Sequence, residues 1–74
     1  ELDKTAAISS LGDLGDPQAI ELLAPFATNP DWQIRYRVVQ ALAKLGGDRA
    51  KSLIEQLAQD EVEAVSQEAK NSLS

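Results

Sequence analysis

Two stretches of this chain repeat one another at a fixed distance. Ala7-Ile8-Ser9-Ser10-Leu11-Gly12-Asp13-Leu14-Gly15 and Val38-Val39-Gln40-Ala41-Leu42-Ala43-Lys44-Leu45-Gly46 share one pattern, and their Leu-Gly pairs lie 31 residues apart. The match runs on through Ala19 and Ala50, Leu22 and Leu53, Leu23 and Ile54, and Ala27 and Ala58. A third copy opens near the end, where Val65, Ala69 and Leu73 fall in register with Ile34, Val38 and Leu42. A period of this length means stacked copies of one supersecondary unit, each burying its apolar face against its neighbours. The units are read at about 1–29, 30–60 and 61–74.

Helix start and stop signals fill each unit. Asp16-Pro17 is an N-cap followed by proline at the first helical position, and Gly15 before it suits the left-handed end of the preceding helix. Leu45-Gly46-Gly47-Asp48 repeats that grammar without the proline. Asn29-Pro30-Asp31 closes the second helix and caps the third. Asp60 and Glu63 have the spacing of a capping box, with Asp in place of Ser or Thr. Helices are expected near 3–14, 17–28, 31–45, 49–59 and 61–73. Pro25 lacks the N–H that the second helix needs, so a kink or an early end is expected there. Connections this short fold consecutive helices back on one another. The expected fold is an all-α solenoid of about two and a half antiparallel hairpins.

The helical period selects the core. It places Ile34, Val38, Ala41, Leu42 and Leu45 on one stripe of the third helix, and Ala50, Leu53, Ile54 and Leu57 on the fourth. In the first hairpin the matching set is Ala7, Leu11, Leu14, Ile20, Leu23 and Phe26. A start at Glu1, in mid-pattern and without Met, is read as a piece of a longer array, since such arrays need about three units for stability.

Composition removes whole classes of function. The 74 residues contain no Cys and no His, which excludes zinc sites built on them and the usual neutral-pH acid–base group. The net charge of −5 opposes nucleic-acid binding, which needs a basic face. Arg35, Arg37, Lys44, Arg49 and Lys51 cluster in the middle, while residues 55–68 carry five acids and no base. No apolar run is long enough for a membrane span and no leader is visible, so a cytoplasmic, soluble chain is expected. There is no nucleophile–base pair and no phosphate loop, so no catalytic residue is assigned.

The third helix carries a second apolar stripe. With Ile34 at zero and about 100° per residue, the core set clusters within about 80° of zero. Trp32, Tyr36, Val39 and Ala43 fall at about 140–200°, with Arg35 beside them. Solenoid stacking alone would use such a stripe, because the first helix of each hairpin touches both neighbours. Yet one period later the stripe becomes Glu63, Gln67, Lys70 and Ser74. Trp32, Arg35, Tyr36 and Val39 are therefore the candidate ligand- or partner-binding residues, because flat amphipathic rings and a guanidinium fork suit planar acids and protein hot spots alike. Arg35 has a structural alternative, an ion pair with Asp31 or with Asp60. Arg37 and Lys44 are expected in solvent. Ser52, Glu55, Gln56 and Gln59 are available to a polar surface on the second helices.

Ankyrin and tetratricopeptide signatures are absent. Leu14-Gly15-Asp16-Pro17-Gln18-Ala19 and Asn29-Pro30-Asp31-Trp32-Gln33-Ile34-Arg35-Tyr36 resemble the short HEAT-like repeat of the phycobilisome lyase type, including the E/F-type bilin lyase subunits. Those proteins attach, isomerise or remove linear tetrapyrroles on cysteines of antenna proteins. The resemblance implies that Trp32, Arg35 and Tyr36 fall on motif positions, with a linear tetrapyrrole (bilin) as substrate and no covalently bound cofactor. It implies a phycobiliprotein subunit or a second lyase subunit as partner. Another HEAT-like relative hydroxylates its substrate with iron held by His-Glu pairs, and the absence of His bars that activity here. The alternative function is a non-enzymatic protein–protein interaction scaffold.

Overall fold

Glycine and proline end the helices close to where the sequence places them. In the computed structural model, which describes residues 4–73, α1 spans Lys4–Leu14, α2 Ala19–Leu23, α3 Trp32–Leu45, α4 Gly47–Leu57 and α5 Glu63–Leu73. Asp3, expected to open the first helix, and Ser74, the last stripe position, lie outside the described residues. Gly15 and Gly46 both take φ of +69° and Gly47 takes +89°, conformations that a Cβ disfavours. The Asp31 carboxylate accepts from the Gln33 N–H at 2.9 Å, so the cap of α3 forms. The Asp16 carboxylate accepts from the Gln18 N–H at 2.9 Å in a turn ahead of α2, which begins only at Ala19 without a side-chain cap, so Asp16 does not cap it and Pro17 is not its first residue.

Pro25 has the predicted effect. α2 stops at Leu23 and the chain tightens into a 3₁₀ segment over Ala24–Thr28, because proline offers no N–H to the carbonyl of Glu21. Two more expectations fail locally. α4 begins at Gly47, two residues early, and no side chain caps it. The Asp60–Glu63 capping box does not form, since Glu63 is itself the first residue of α5. Asp60 instead accepts from the Val62 N–H at 2.8 Å, which closes the turn before the helix.

The helices form two layers in a slab of 28 × 27 × 16 Å. One layer holds α1, α3 and α5, with α3 between the other two; α2 with its 3₁₀ tail and α4 make the second. Ile8, Ile20, Leu23, Ile34, Val38, Val39, Leu42, Ile54, Leu57 and Val65 meet in a single core. Gly12 sets the spacing of α1 and α3: a Cβ placed on it would lie 2.9 Å from Cα of Ala41. Exposed ion pairs tie the units together on the surface. Lys44 reaches Asp13, one full period away, at 2.8 Å, so it is paired rather than simply solvated. Arg49 grips Glu21 with two bonds of 2.7 and 3.1 Å.

The first hairpin corrects part of the expected core. Leu14 is 72% exposed and Ala7 is also exposed, whereas Ile8 is fully buried. Leu45, the counterpart of Leu14, is half-buried against the core. The cause is position in the stack. Among the described residues α3 is flanked on both sides, whereas α1 packs chiefly against α3 and α2, so the seam that α3 buries on its α1 side stays exposed on α1.

Candidate functional site

The second stripe of α3 divides when its side chains are placed. Val39 is fully buried and belongs to the core, because its side of the helix turns toward the following unit as Ile8 does in α1. Tyr36 is half-buried against that core. Trp32, the first residue of α3, stays 41% exposed. The two rings meet edge to face, with centroids 6.4 Å apart and planes at 76°. That is a favourable aromatic arrangement and it holds Trp32 by one edge. Ala43 is exposed further along the helix.

Arg35 is not available to a ligand. Its Nε donates to Oδ2 of Asp60 at 2.6 Å and its Nη2 to Oδ1 at 3.1 Å, while Nη1 donates to the Asn29 carbonyl at 2.7 Å. Of the two partners left open by the sequence, the structure selects Asp60. Asn29 and Asp60 are the same position of successive units, so one guanidinium bridges two consecutive interhelical turns. The pair is nearly closed to solvent, with side-chain exposures of 12% and 9%. Arg35 holds the Asp60 carboxyl below its ordinary range, chiefly by hydrogen bonding; partial burial acts the other way and the Val62 N–H assists. The Arg35 guanidinium is raised in turn, first by its bond to Asp60.

A hollow of about 550 Å³ lies beside the aromatic pair, lined by Trp32, Tyr36, Gln33, Arg37, Thr5 and Ala64. The sequence reading missed its last four walls. Their signal was present in the period, since Thr5 stands one repeat before Tyr36 and Ala64 one repeat after Gln33. Because α1, α3 and α5 share one layer, such positions come together at the starts of the three helices. Arg37 is exposed, and among the described residues its guanidinium makes a long 3.4 Å contact with Gln40. Of the expected quartet, Trp32 and Tyr36 border this hollow, Val39 lies in the core and Arg35 is paired with Asp60; the guanidinium beside the rings is that of Arg37.

This arrangement can hold a ligand by ring contact and by a guanidinium. Its remaining polar groups are the Thr5 and Tyr36 hydroxyls and the Gln33 amide. Ser52, Glu55, Gln56 and Gln59 all stand exposed on or just after α4. Among the described residues no three His, Cys, Asp or Glu side chains are grouped to hold a metal ion, and no helix is long and apolar enough to cross a membrane.

A family profile described as HEAT repeats matches residues 2–74. It covers almost the whole chain and singles out no phycobilisome lyase branch. No curated protein and no solved structure matches the chain significantly.

Proposed function

The chain belongs to the HEAT-repeat family, and from that membership we propose that it is a non-enzymatic protein-binding scaffold whose contact face is the outer side of α3. One observation carries the choice of face. Trp32, a large side chain that stacking normally covers, stands exposed over a formed hollow while the helix beneath it is held by the Arg35 clamp. Tryptophan, tyrosine and arginine together are the residues that dominate protein contacts, and here Trp32, Tyr36 and Arg37 border one space. Helical solenoids present rigid surfaces of this kind, and rigidity lowers the ordering cost of binding.

The partner proposed is a phycobiliprotein subunit, on the likeness of residues 29–36 to the lyase-type repeat. A direct tetrapyrrole contact is the weaker form of that reading. Such a contact needs a cation for a pigment propionate, and each guanidinium nitrogen of Arg35 is already bonded to Asp60 or Asn29. Ring stacking on Trp32 and a carboxylate on Arg37 would have to serve instead.

The test titrates the full chain with a bilin-free phycobiliprotein subunit and, separately, with a free linear tetrapyrrole, following the emission of its one tryptophan. The scaffold reading expects the subunit to bind, and Trp32→Ala and Tyr36→Ala each to weaken it about ten-fold or more with helix content unchanged. A response to the free pigment alone transfers the function to tetrapyrrole binding. Subunit affinity indifferent to both substitutions removes the aromatic pair from the contact face, and silence toward both titrants ends the phycobilisome reading.

A further inference from the structure

A second hollow continues the first along the outside of α3. It holds about 360 Å³ and is bordered by Gln40, Ala43 and Lys44 of α3, Ser9 of α1 and Glu68 of α5. Arg37 borders both hollows. Their α3 walls are centred about seven residues apart, about 10 Å along the axis. The flanks match on either side. Thr5 and Ser9 stand one helical turn apart on α1, and Ala64 and Glu68 stand one turn apart on α5. The two hollows therefore make one strip along α3.

Charge along the strip is ordered. α3 bears Arg35, Arg37 and Lys44 and no acid, in a chain of net charge −5. Arg35 is closed over Asp60, and Lys44 meets Asp13. Arg37 stands between them and forms no ion pair among the described residues. Gln33 lies one turn before it and Gln40 one turn after, the latter accepting from Nη1 at 3.4 Å. A guanidinium between two amides is a donor row for a carboxylate. At the far hollow Glu68 repels a second carboxylate, and the Lys44 charge there is already matched by Asp13. At the near hollow the Trp32 and Tyr36 rings take an apolar side chain.

An occupant must then present three side chains in order: large and apolar, acidic, and neutral or basic. A helix puts residues i, i+4 and i+7 on one face, about 6 and 10.5 Å along its axis. That spacing carries the first side chain to the rings, the second to Arg37 and the third to Glu68. We propose, resting on the contact face assigned above, that the strip docks one amphipathic helix of a partner protein with this apolar–acidic–basic order.

The probe is a blocked, alanine-based peptide of about 18 residues, long enough to form a helix. It carries a phenylalanine, a glutamate four residues on and a lysine seven residues on, and is made in both chain directions. Each peptide is titrated into the full chain at low salt while the emission of the single tryptophan is followed. One direction is expected to bind. Moving the glutamate to two residues from the phenylalanine, on the opposite face, should weaken binding about five-fold or more. Arg37→Glu should do the same with helix content unchanged, and a lysine in place of the peptide glutamate should restore the affinity of that variant. Added salt should shrink each difference. No response to either peptide up to millimolar concentration overturns the proposal. So does an affinity indifferent to Arg37→Glu, or a displaced glutamate that binds equally well. A dimer of the chain that Arg37→Glu dissolves assigns the strip to a second copy and overturns it too. Titrating the same variant with the bilin-free subunit separates this proposal from the function above. Subunit binding lost in Trp32→Ala but unchanged in Arg37→Glu keeps the contact face and overturns the acidic contact. Peptide binding without subunit binding keeps the acidic contact and ends the phycobilisome reading.

Discussion

Replacing Arg35 should do more damage than replacing any other charged residue in the described ion pairs. Arg35→Ala removes three charge-assisted hydrogen bonds of 2.6, 2.7 and 3.1 Å at once. It uncovers the Asp60 carboxylate, whose side chain is 9% exposed while Arg35 is in place, and leaves the Val62 N–H as its hydrogen-bond donor among the described residues. An exposed pair is worth about 0–1 kcal/mol, and breaking a fully buried one costs about 3–5 kcal/mol. This pair is nearly covered but sits in a turn that water can reach once the fork is gone, which places the loss at about 2–3 kcal/mol. For a domain of this size that is a fall in melting temperature of about 10–20 °C. Arg35→Lys should recover about half, since an ammonium keeps the charge and loses the two-pronged geometry. A double-mutant cycle with Asp60→Ala isolates the pair, with an expected coupling of about 1–2 kcal/mol. The acid limb gives a further check on the sign. Asp60 titrates below its unfolded value, so its contribution is complete above about pH 4 and fades as the pH falls through the folded value. The gap between the natural chain and Arg35→Ala must narrow in that window. A gap under about 3 °C at pH 7, or one that stays constant down to pH 2, refutes the clamp.

Three further outcomes follow from packing and exposure. Gly12→Ala should destabilise by about 1–2 kcal/mol despite the better helix propensity of alanine, because the new methyl meets the backbone of Ala41; chemical denaturation reads the change. Leu42→Ala should cost about 2–5 kcal/mol, whereas Leu14→Ala, at the counterpart of Leu45 one repeat earlier, should change the denaturation midpoint little, being 72% exposed. Lys44→Met and Glu21→Gln should each leave the melting temperature unchanged at physiological salt, since both pairs are open to solvent on either side.

Much of the fold was legible because it rests on local chemistry. Gly15, Gly46, Asp31 and Pro25 act within a few residues of themselves, and each performs the role its type predicts. Val38, Leu42 and Leu53 were legible through the period, since the middle unit has a neighbour on each side. Leu14 and Ala7 were misread because a period tells which side chains share a face and says nothing of whether that face is covered. The site was legible in part. Spacing grouped Trp32, Tyr36, Val39 and Arg35, and only placement separates a ring above a hollow from a valine in the core and a guanidinium closed over Asp60.

The sequence alone determined that helices form, where they stop and at what interval they repeat, because capping, backbone freedom and apolar periodicity are properties of near neighbours along the chain. The tertiary structure decided which aromatic faces water, which arginine is committed and which leucines stand bare. Those depend on what lies across an interface, and residues a full repeat apart meet there only once the layers have closed.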